Sequence, residues 1–376
     1  MPNLIPAKRV TWIELFYDLI VAASMLLIYG SLAKYLSWPE FLWLSAIALV
    51  VFAMWLSTTL IFNRLPGDTT WRRLVVIAQM ITLVYAVAST ESSGRVDGDV
   101  GIVALGVAML ILAAMWAGAH RESKDDDRPY RRQSAAFILG AAFLLSASVL
   151  PDSLNAAVLI VGALIGFVPM FVRFIPGLYS AGSIDMHHLV ERLGGLVLIM
   201  LGETFLEMSV LFTKGASPRV FGVLLVLMLL TVIWWQYFTY IAIRPLPPFT
   251  GHLETFLLGH AMLVLGLGSA AIALTEVGLA LEAQLPLPVI SGILGGSLAL
   301  VYAGLSVIVA STTGPRPQLV ILAVTTVILG AVGFLFWTVW VLDEQTLILI
   351  MGAIALGALL LTAAAATGSR HQARSG

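Results

Sequence analysis

Residues 100–119 read VGIVALGVAMLILAAMWAGA, twenty consecutive residues without a charged side chain. The hydrocarbon core of a bilayer is about 30 Å thick, so roughly 20 apolar residues in a helix cross it. Within lipid every backbone N–H and C=O must be paired inside the segment, and only a helix achieves this without the alternating pattern of a barrel strand. The stretch therefore predicts a transmembrane helix.

Similar apolar runs extend from this stretch in both directions. Pro and Gly fall mainly between the runs, as at Pro66-Gly67 and Pro176-Gly177. The predicted fold class is an all-α polytopic membrane protein with about twelve transmembrane helices. Their predicted spans are 12–33, 40–62, 72–90, 100–119, 133–150, 154–174, 187–212, 219–242, 254–275, 288–311, 317–341 and 345–366.

The composition fits a protein that lies in lipid. Of 376 residues 60% are hydrophobic and 11% are charged, and the mean hydropathy is +0.98. A soluble domain has about 25% charged residues. The net charge of −1 gives no basic field for nucleic acid. The chain has no cysteine, no Walker loop, no GxSxG and no HExxH, so we predict no cofactor and no nucleic-acid partner.

The distribution of Lys and Arg predicts the orientation of the chain. When the helices alternate from a cytoplasmic N-terminus, fifteen of the twenty basic residues fall on the inner side and four on the outer side, while Arg192 lies within a helix. This bias is the one that the positive-inside rule expects. We therefore predict a multi-pass protein of the bacterial inner membrane with both termini in the cytoplasm.

An internal repeat is also predicted, with one six-helix unit at 1–182 and a second at 183–376. Three marker residues recur at nearly constant offsets of 177, 180 and 181. The pairs are Glu14 with Glu191, Trp55 with Trp235, and Gln79 with His260. Because six is an even number, both units would enter the membrane from the same side, which makes a parallel repeat.

Two acids in the first predicted helix are candidates for an intramembrane site. Glu14 and Asp18 are four residues apart and so share a helix face. A charge at this depth costs at least about 2.5–3.5 kcal/mol on insertion scales and needs a partner or a use. One interpretation is a cation or proton site. The other is that Glu14 reaches the headgroups and Asp18 pairs with a buried Arg or a backbone donor.

The seventh predicted helix carries the other candidates. Glu203 lies about 18 Å beyond Glu191 by helical rise, and we predict that it lines a polar cavity. Arg192 is a candidate counter-charge for the acids. The predicted polar site comprises Glu14, Asp18, His188, Glu191, Arg192, Glu203, Glu207 and His260. No further ligands with metal spacing accompany His188 and Glu191, so no metal site is predicted.

Two motifs resemble a known family. The run from Thr11 to Ala23, TWIELFYDLIVAA, is similar to the opening signature of the bacterial low temperature requirement protein A (LtrA) family. His188 to Arg192, HLVER, followed by Leu201 to Thr204, LGET, resembles that family's second signature. The resemblance extends over nearly the whole chain. It implies a multi-helix bacterial membrane protein associated by name with growth in the cold, without a settled substrate.

The patterns favour transport over bond-breaking chemistry. We expect a transporter or permease with a polar intramembrane site between helices 1 and 7, in contact with the lipid bilayer and acting on an ion or small solute. A cation or proton channel is one alternative. A membrane enzyme or a structural protein that acts on lipids is another. The sequence does not indicate the oligomeric state of the protein.

Overall fold

The computed structural model describes residues 10–33, 37–65, 69–93, 100–122, 128–171, 184–213, 217–239, 253–283, 287–312, 316–339 and 344–375. These residues confirm the all-α class and each of the twelve predicted helices. The helices are α1 (Trp12–Gly30), α2 (Trp38–Arg64), α3 (Thr70–Ser93), α4 (Val100–Glu122), α5 (Arg128–Leu145), α6 (Asn155–Phe171), α7 (Met186–Thr213), α8 (Ser217–Tyr237), α9 (Leu253–Ala283), α10 (Leu287–Ser311), α11 (Arg316–Val339) and α12 (Glu344–Ser375).

Helix ends differ from the predicted spans most clearly in α9 and α12, which continue past residues 275 and 366. Hydropathy marks where a chain leaves lipid, whereas a helix ends where its hydrogen bonding ends. The segment 366–375 is polar but still helical. For α9 and α12 the predicted transmembrane span is therefore shorter than the helix.

Within the described ranges, nine helices are long and apolar enough to cross a membrane. Helices α6 and α8 contain shorter apolar runs, Asn155–Met170 and Val223–Tyr237. Helix α7 carries four charged side chains. It is not among the nine helices that are apolar enough to cross a membrane. Large apolar side chains are widely exposed, among them Ile81, Val327 and Leu361. Such a surface fits hydrocarbon rather than water.

The helices form two compact units, and the first comprises Met1–Ser31 and Ala46–Leu196. In this unit α1 packs on α3, α3 packs on α4, α4 on α5, and α5 on α6. Helices α5 and α6 approach closely, since a Cβ on Gly140 would lie 2.6 Å from the carbonyl oxygen of Gly162. They run antiparallel, because Gly162 lies against Leu144 whereas Gly166 lies against Phe137. Small residues permit such close helix packing within a membrane.

The second unit comprises Leu32–Ser45 and Val197–Gly376. Here α9, α10 and α11 pack in sequence, and α12 contacts both α11 and α8. Gly259 of α9 lies against the backbone of Gly304 in α10, and Gly266 lies against Ser297. The pairing in opposite order along the two helices makes α9 and α10 an antiparallel pair with a narrow separation.

The predicted repeat boundary at 182/183 lies outside the described residues. The two compact units are defined by packing, and their division at 196/197 falls within α7. The parallel repeat and the cytoplasmic location of both termini remain predictions.

Candidate functional site

The candidate site lies in the first unit and begins with the two acids of α1. Thr11 precedes the helix, and its backbone N–H and its hydroxyl each donate to Glu14 Oε2 at 2.8 Å. This is a capping arrangement, which holds the carboxylate at the helix N-terminus where the helix dipole favours negative charge. Glu14 and Asp18 are 2% and 0% exposed. Neither carboxylate reaches the surface of the unit.

Arg192 of α7 joins the two acids. Its Nη1 donates to Glu14 Oε1 at 2.8 Å. Its Nε and Nη2 donate to the two oxygens of Asp18 at 3.1 and 2.5 Å. The guanidinium therefore binds Asp18 with both oxygens engaged, the geometry that distinguishes arginine from lysine. Because Arg192 is itself 1% exposed, these ion pairs are buried and poorly screened by solvent.

Trp55 of α2 completes the surroundings of Asp18. Its indole Nε1–H donates to Asp18 Oδ1 at 2.5 Å. The Arg192 guanidinium carbon also lies 5.7 Å from the centroid of the Trp55 ring, within the range of a cation–π interaction. One side chain of α2 thus contacts both the acid of α1 and the base of α7.

His188 lies one turn before Arg192 on α7 and extends the network to Glu14. Its Nε2 is 3.2 Å from Glu14 Oε1. Its Nδ1 is 3.3 Å from Asn63 Nδ2, and the same amide nitrogen donates to the Asp185 carbonyl at 2.7 Å. The Asp185 N–H in turn donates to Asn63 Oδ1 at 2.8 Å, which fixes the orientation of the amide.

This fixed amide determines the tautomer of His188. Asn63 presents an N–H to Nδ1, so Nδ1 is an acceptor and the proton is on Nε2, which lies 3.2 Å from Glu14 Oε1. The cluster holds two carboxyl groups, one guanidinium and one imidazole. All of these ionisable groups are buried.

A second layer of polar side chains lies next to this charged cluster. Thr58 donates to Gln79 Oε1 at 2.9 Å, which joins α2 to α3. Tyr17 of α1 is 1% exposed, and its hydroxyl lies close to Thr58. The Gln79 amide nitrogen has no hydrogen-bond partner among the described residues. The layer is polar and incompletely satisfied, which is unusual for buried groups.

The network brings together Glu14, Asp18, His188 and Arg192, four of the eight predicted site residues. The other four lie elsewhere. Glu191 is exposed, because successive residues of a helix are about 100° apart and Arg192 occupies the inward direction. Glu203 and Glu207 are half-buried and belong to the second unit. Glu203 lies about 16 Å along α7 from Arg192 by helical rise.

His260, the eighth predicted residue, belongs to the second unit. Its Nε2 is 3.1 Å from the Tyr237 hydroxyl, and its Nδ1 is 2.8 Å from the Phe256 carbonyl oxygen. The carbonyl can only accept, so Nδ1 carries a proton, and in the neutral imidazole Nε2 then accepts from the Tyr237 hydroxyl. This pair joins α8 to α9 and does not belong to the Arg192 network.

Sequence reasoning missed Asn63, Asp185 and Thr11 as parts of the network. Asp185 precedes α7 and its carboxylate accepts from the His188 N–H at 3.2 Å, the position of an N-cap. That capping pattern is visible in the sequence, and so is Thr11 three residues before Glu14. Asn63 has no comparable signal. Among the described residues, no three or more His, Asp and Glu side chains are grouped to hold a metal ion.

A comparison with family models identifies the chain's relatives. The model described as "Bacterial low temperature requirement A protein (LtrA)" matches residues 9–366, nearly the whole chain. No curated protein matches the chain.

Proposed function

Because the chain belongs to the bacterial low temperature requirement A protein (LtrA) family, we propose that this integral membrane protein is a transporter or permease. In this proposal the buried network of Glu14, Asp18, His188 and Arg192 is its intramembrane charge site. Growth at low temperature, which the family's name refers to, would depend on that transport activity.

The observation that carries the proposal is the charge balance of the buried network. Two carboxyl groups face one guanidinium and one imidazole. An unbalanced charge in a poorly hydrated interior costs several kcal/mol. Such a charge attracts a proton or a small cation, which is what a coupled transporter needs at its ion-binding step. Intramembrane ionisable groups are functional sites in many membrane proteins.

The network also offers a way to couple charge to movement. Arg192 is the bond between the start of α7 and the start of α1. A proton on Asp18 would remove the charge that holds the Arg192 guanidinium and would weaken that bond. The start of α7 could then separate from α1, which is a bistable element of the kind that transporters use.

Solute-driven flux in liposomes tests the proposal. The purified protein is reconstituted around an internal pH-sensitive dye, and amino acids, sugars and nucleosides are added outside in turn. We expect at least one solute to drive proton movement in the wild type. Asp18→Asn should abolish that movement. Glu191→Gln is the matched control. Glu191 precedes Arg192 on α7 but is exposed, so this variant should retain the wild-type rate of proton movement.

Two results would count against the proposal. Wild-type flux in folded Asp18→Asn would remove the network from the mechanism. Absence of flux with every solute would favour a second function, a purely structural lock between helices, which the complete set of donors around Glu14 supports. A lock predicts that neutralised variants which still fold also support growth in the cold.

A cation or proton channel is the other candidate function, and the polar layer of Tyr17, Thr58 and Gln79 supports it. These side chains lie on α1, α2 and α3 beside the charged network. A channel would conduct without any added solute. Currents across a planar bilayer under an imposed voltage distinguish it from a transporter, whose flux depends on the solute.

A further inference from the structure

The start of α7 is attached to the end of α2 by one side-chain amide. Asn63 Oδ1 accepts the backbone N–H of Asp185 at 2.8 Å, and Asn63 Nδ2 donates to the Asp185 carbonyl oxygen at 2.7 Å. A backbone N–H can only donate and a carbonyl can only accept, so these two bonds define the positions of the amide oxygen and nitrogen. Asn63 is 5% exposed. It therefore holds the residue that precedes α7 in one orientation, shielded from solvent.

The nitrogen of the same amide also faces His188. Asn63 Nδ2 is 3.3 Å from His188 Nδ1, and the imidazole is 0% exposed. Because an amide nitrogen only donates, Nδ1 is unprotonated in this arrangement. A second proton on the imidazole would have to bind to Nδ1, where it would meet the N–H of Asn63. A doubly protonated His188 is therefore incompatible with the observed orientation of the amide.

Rotation of the amide does not remove this conflict. Half a turn of the Asn63 amide would present Oδ1 to a protonated Nδ1 of His188. The same rotation would place Oδ1 against the Asp185 carbonyl and Nδ2 against the Asp185 N–H, so that both bonds to Asp185 would be lost. Buried polar groups without partners are costly. Protonation of Nδ1 and the attachment of Asp185 to Asn63 therefore exclude each other.

Charged groups lie on other sides of His188. Its Nε2 is 3.2 Å from Glu14 Oε1 on α1, which also accepts from Arg192 Nη1 at 2.8 Å. The Asp185 carboxyl group accepts from the His188 backbone N–H at 3.2 Å. Helix α2 contributes the uncharged Asn63. A positive imidazole would be attracted by the two carboxyl groups and repelled by the guanidinium, so the conflict with Asn63 is separate from these charges.

We propose that His188 Nδ1 is a proton-binding site that releases the start of α7 from α2. The step adds one proton from solvent to Nδ1, breaks the two hydrogen bonds between Asn63 and Asp185, and changes no other covalent bond. Histidine is the side chain that most readily exchanges a proton near neutral pH. The inference rests on the proposed function, because it names a pH-dependent contact that regulates α7 of the transporter. Asp18 bonds α7 to α1, whereas Asn63 attaches it to α2.

Thiol labelling next to the attachment tests this proposal. The chain has no cysteine, so Ile184→Cys places a single thiol beside Asp185, at a half-buried position. The purified full-length protein in detergent is labelled with a maleimide at about pH 8 and about pH 5.5, which bracket the ordinary titration range of histidine. The same cysteine is labelled in a His188→Asn background. This variant keeps an oxygen that accepts from Asn63 and cannot bind the proton.

The ratio of the two rates removes the effect of pH on the thiol itself, since the cysteine is the same. We expect similar rates at the higher pH and a several-fold faster rate with His188 at the lower pH. Asn63→Ala, which lacks the attachment, should be labelled rapidly at both pH values. A ratio that does not change with pH would overturn the proposal. Slow labelling of Asn63→Ala would also overturn it, because the amide would then not hold the start of α7.

Nitrogen-15 NMR of histidine-labelled protein gives a measurement that does not depend on a destabilised variant. The spectrum of His188→Asn identifies the His188 signals. Nδ1 should be unprotonated at the higher pH and protonated at the lower pH, and Asn63→Asp, whose carboxylate can accept from both Asp185 and a protonated Nδ1, should move protonation to higher pH. Equal titration of His188 in the wild type and Asn63→Asp would contradict the proposal.

The labelling and the solute-driven flux distinguish the two proposals. Labelling is measured without any solute, so pH-dependent labelling in a protein without flux would count against transport alone. Flux that Asp18→Asn abolishes, together with labelling that is independent of pH, would count against the His188 site alone.

Discussion

At Asp18, three N–H donors from two helices converge on one carboxylate that has no access to solvent. These bonds affect the stability of the protein in two different ways. A buried ion pair adds little net stability compared with an apolar pair of the same volume, but removing one partner leaves a charge stranded and costs about 3–5 kcal/mol. At Asp18, removing one partner is therefore expected to lower the stability by more than the intact ion pair adds to it.

Trp55 gives the first residue-scale prediction. Trp55→Phe removes the indole N–H donated to Asp18 and weakens the ring's contact with Arg192. Hydrogen bonds to charged groups contribute about 1.5–3 kcal/mol, so we expect a loss of that order in the free energy of unfolding. Unfolding of the purified protein by graded dodecyl sulfate in mild detergent measures it.

The control is Trp235→Phe, at the position that the predicted repeat makes equivalent to Trp55. Trp235 is 54% exposed, and its substitution should change the free energy of unfolding by less than the buried one. Equal losses in the two variants would show that the indole of Trp55 contributes through its size alone.

The residues that the sequence identified and those that it missed differ for a physical reason. Glu14, Asp18 and Arg192 could be predicted because a charge within an apolar run is visible in one dimension, and each needs a partner. The pairing of Asp18 with Arg192 could not be derived, since it joins positions 174 residues apart. Asn63 acts by fixing the orientation of His188, a role that depends only on packing in three dimensions.

At the scale of elements, apolar runs identified all twelve helices because the bilayer imposes both their length and their hydrogen bonding. The contacts between helices depend on small residues, which hydropathy does not distinguish. Gly304 of α10 lies so close to α9 that a Cβ there would be 2.6 Å from the Gly259 carbonyl oxygen and 2.7 Å from the Leu263 backbone nitrogen. The atoms in the way are backbone, which cannot rotate aside.

The element-scale prediction is that Gly304→Ala destabilises the protein by about 1–3 kcal/mol, because α9 and α10 must separate to admit the methyl group. Gly296→Ala on the same helix is the control. A Cβ there meets nothing within 4 Å, and alanine favours the helix over glycine, so its stability should be unchanged or higher. Similar losses in both variants, measured by the same dodecyl sulfate titration, would contradict the close packing of α9 on α10.

At the scale of the whole molecule, the parallel repeat stays a prediction, and two polar pairs fall near the positions that it relates. Thr58 and Gln79 join α2 to α3, and Tyr237 and His260 join α8 to α9. Each pair connects the second and third helices of a predicted half, and Gln79 and His260 are 181 residues apart.

The predicted orientation is testable because the chain has no cysteine. Single substitutions at Gly94, Ala216, Ser123 and Thr313 each introduce one thiol between helices. A membrane-impermeant maleimide added to intact cells with an opened outer membrane should label Gly94→Cys and Ala216→Cys. Ser123→Cys and Thr313→Cys should react only after lysis, since their segments fall on the predicted cytoplasmic side. Labelling of the opposite pair would reverse the orientation.

The buried bond between α1 and α7 is the central feature of the site, and a double-mutant cycle on Asp18→Asn and Arg192→Gln measures it. Free energies of unfolding are determined for the wild type, both single variants and the double variant in the same detergent. For a close, desolvated pair we predict a coupling of at least about 1.5 kcal/mol, with the double variant less destabilised than the sum of the single ones. Additivity within about 0.5 kcal/mol would show that Asp18 and Arg192 act independently and would contradict the network.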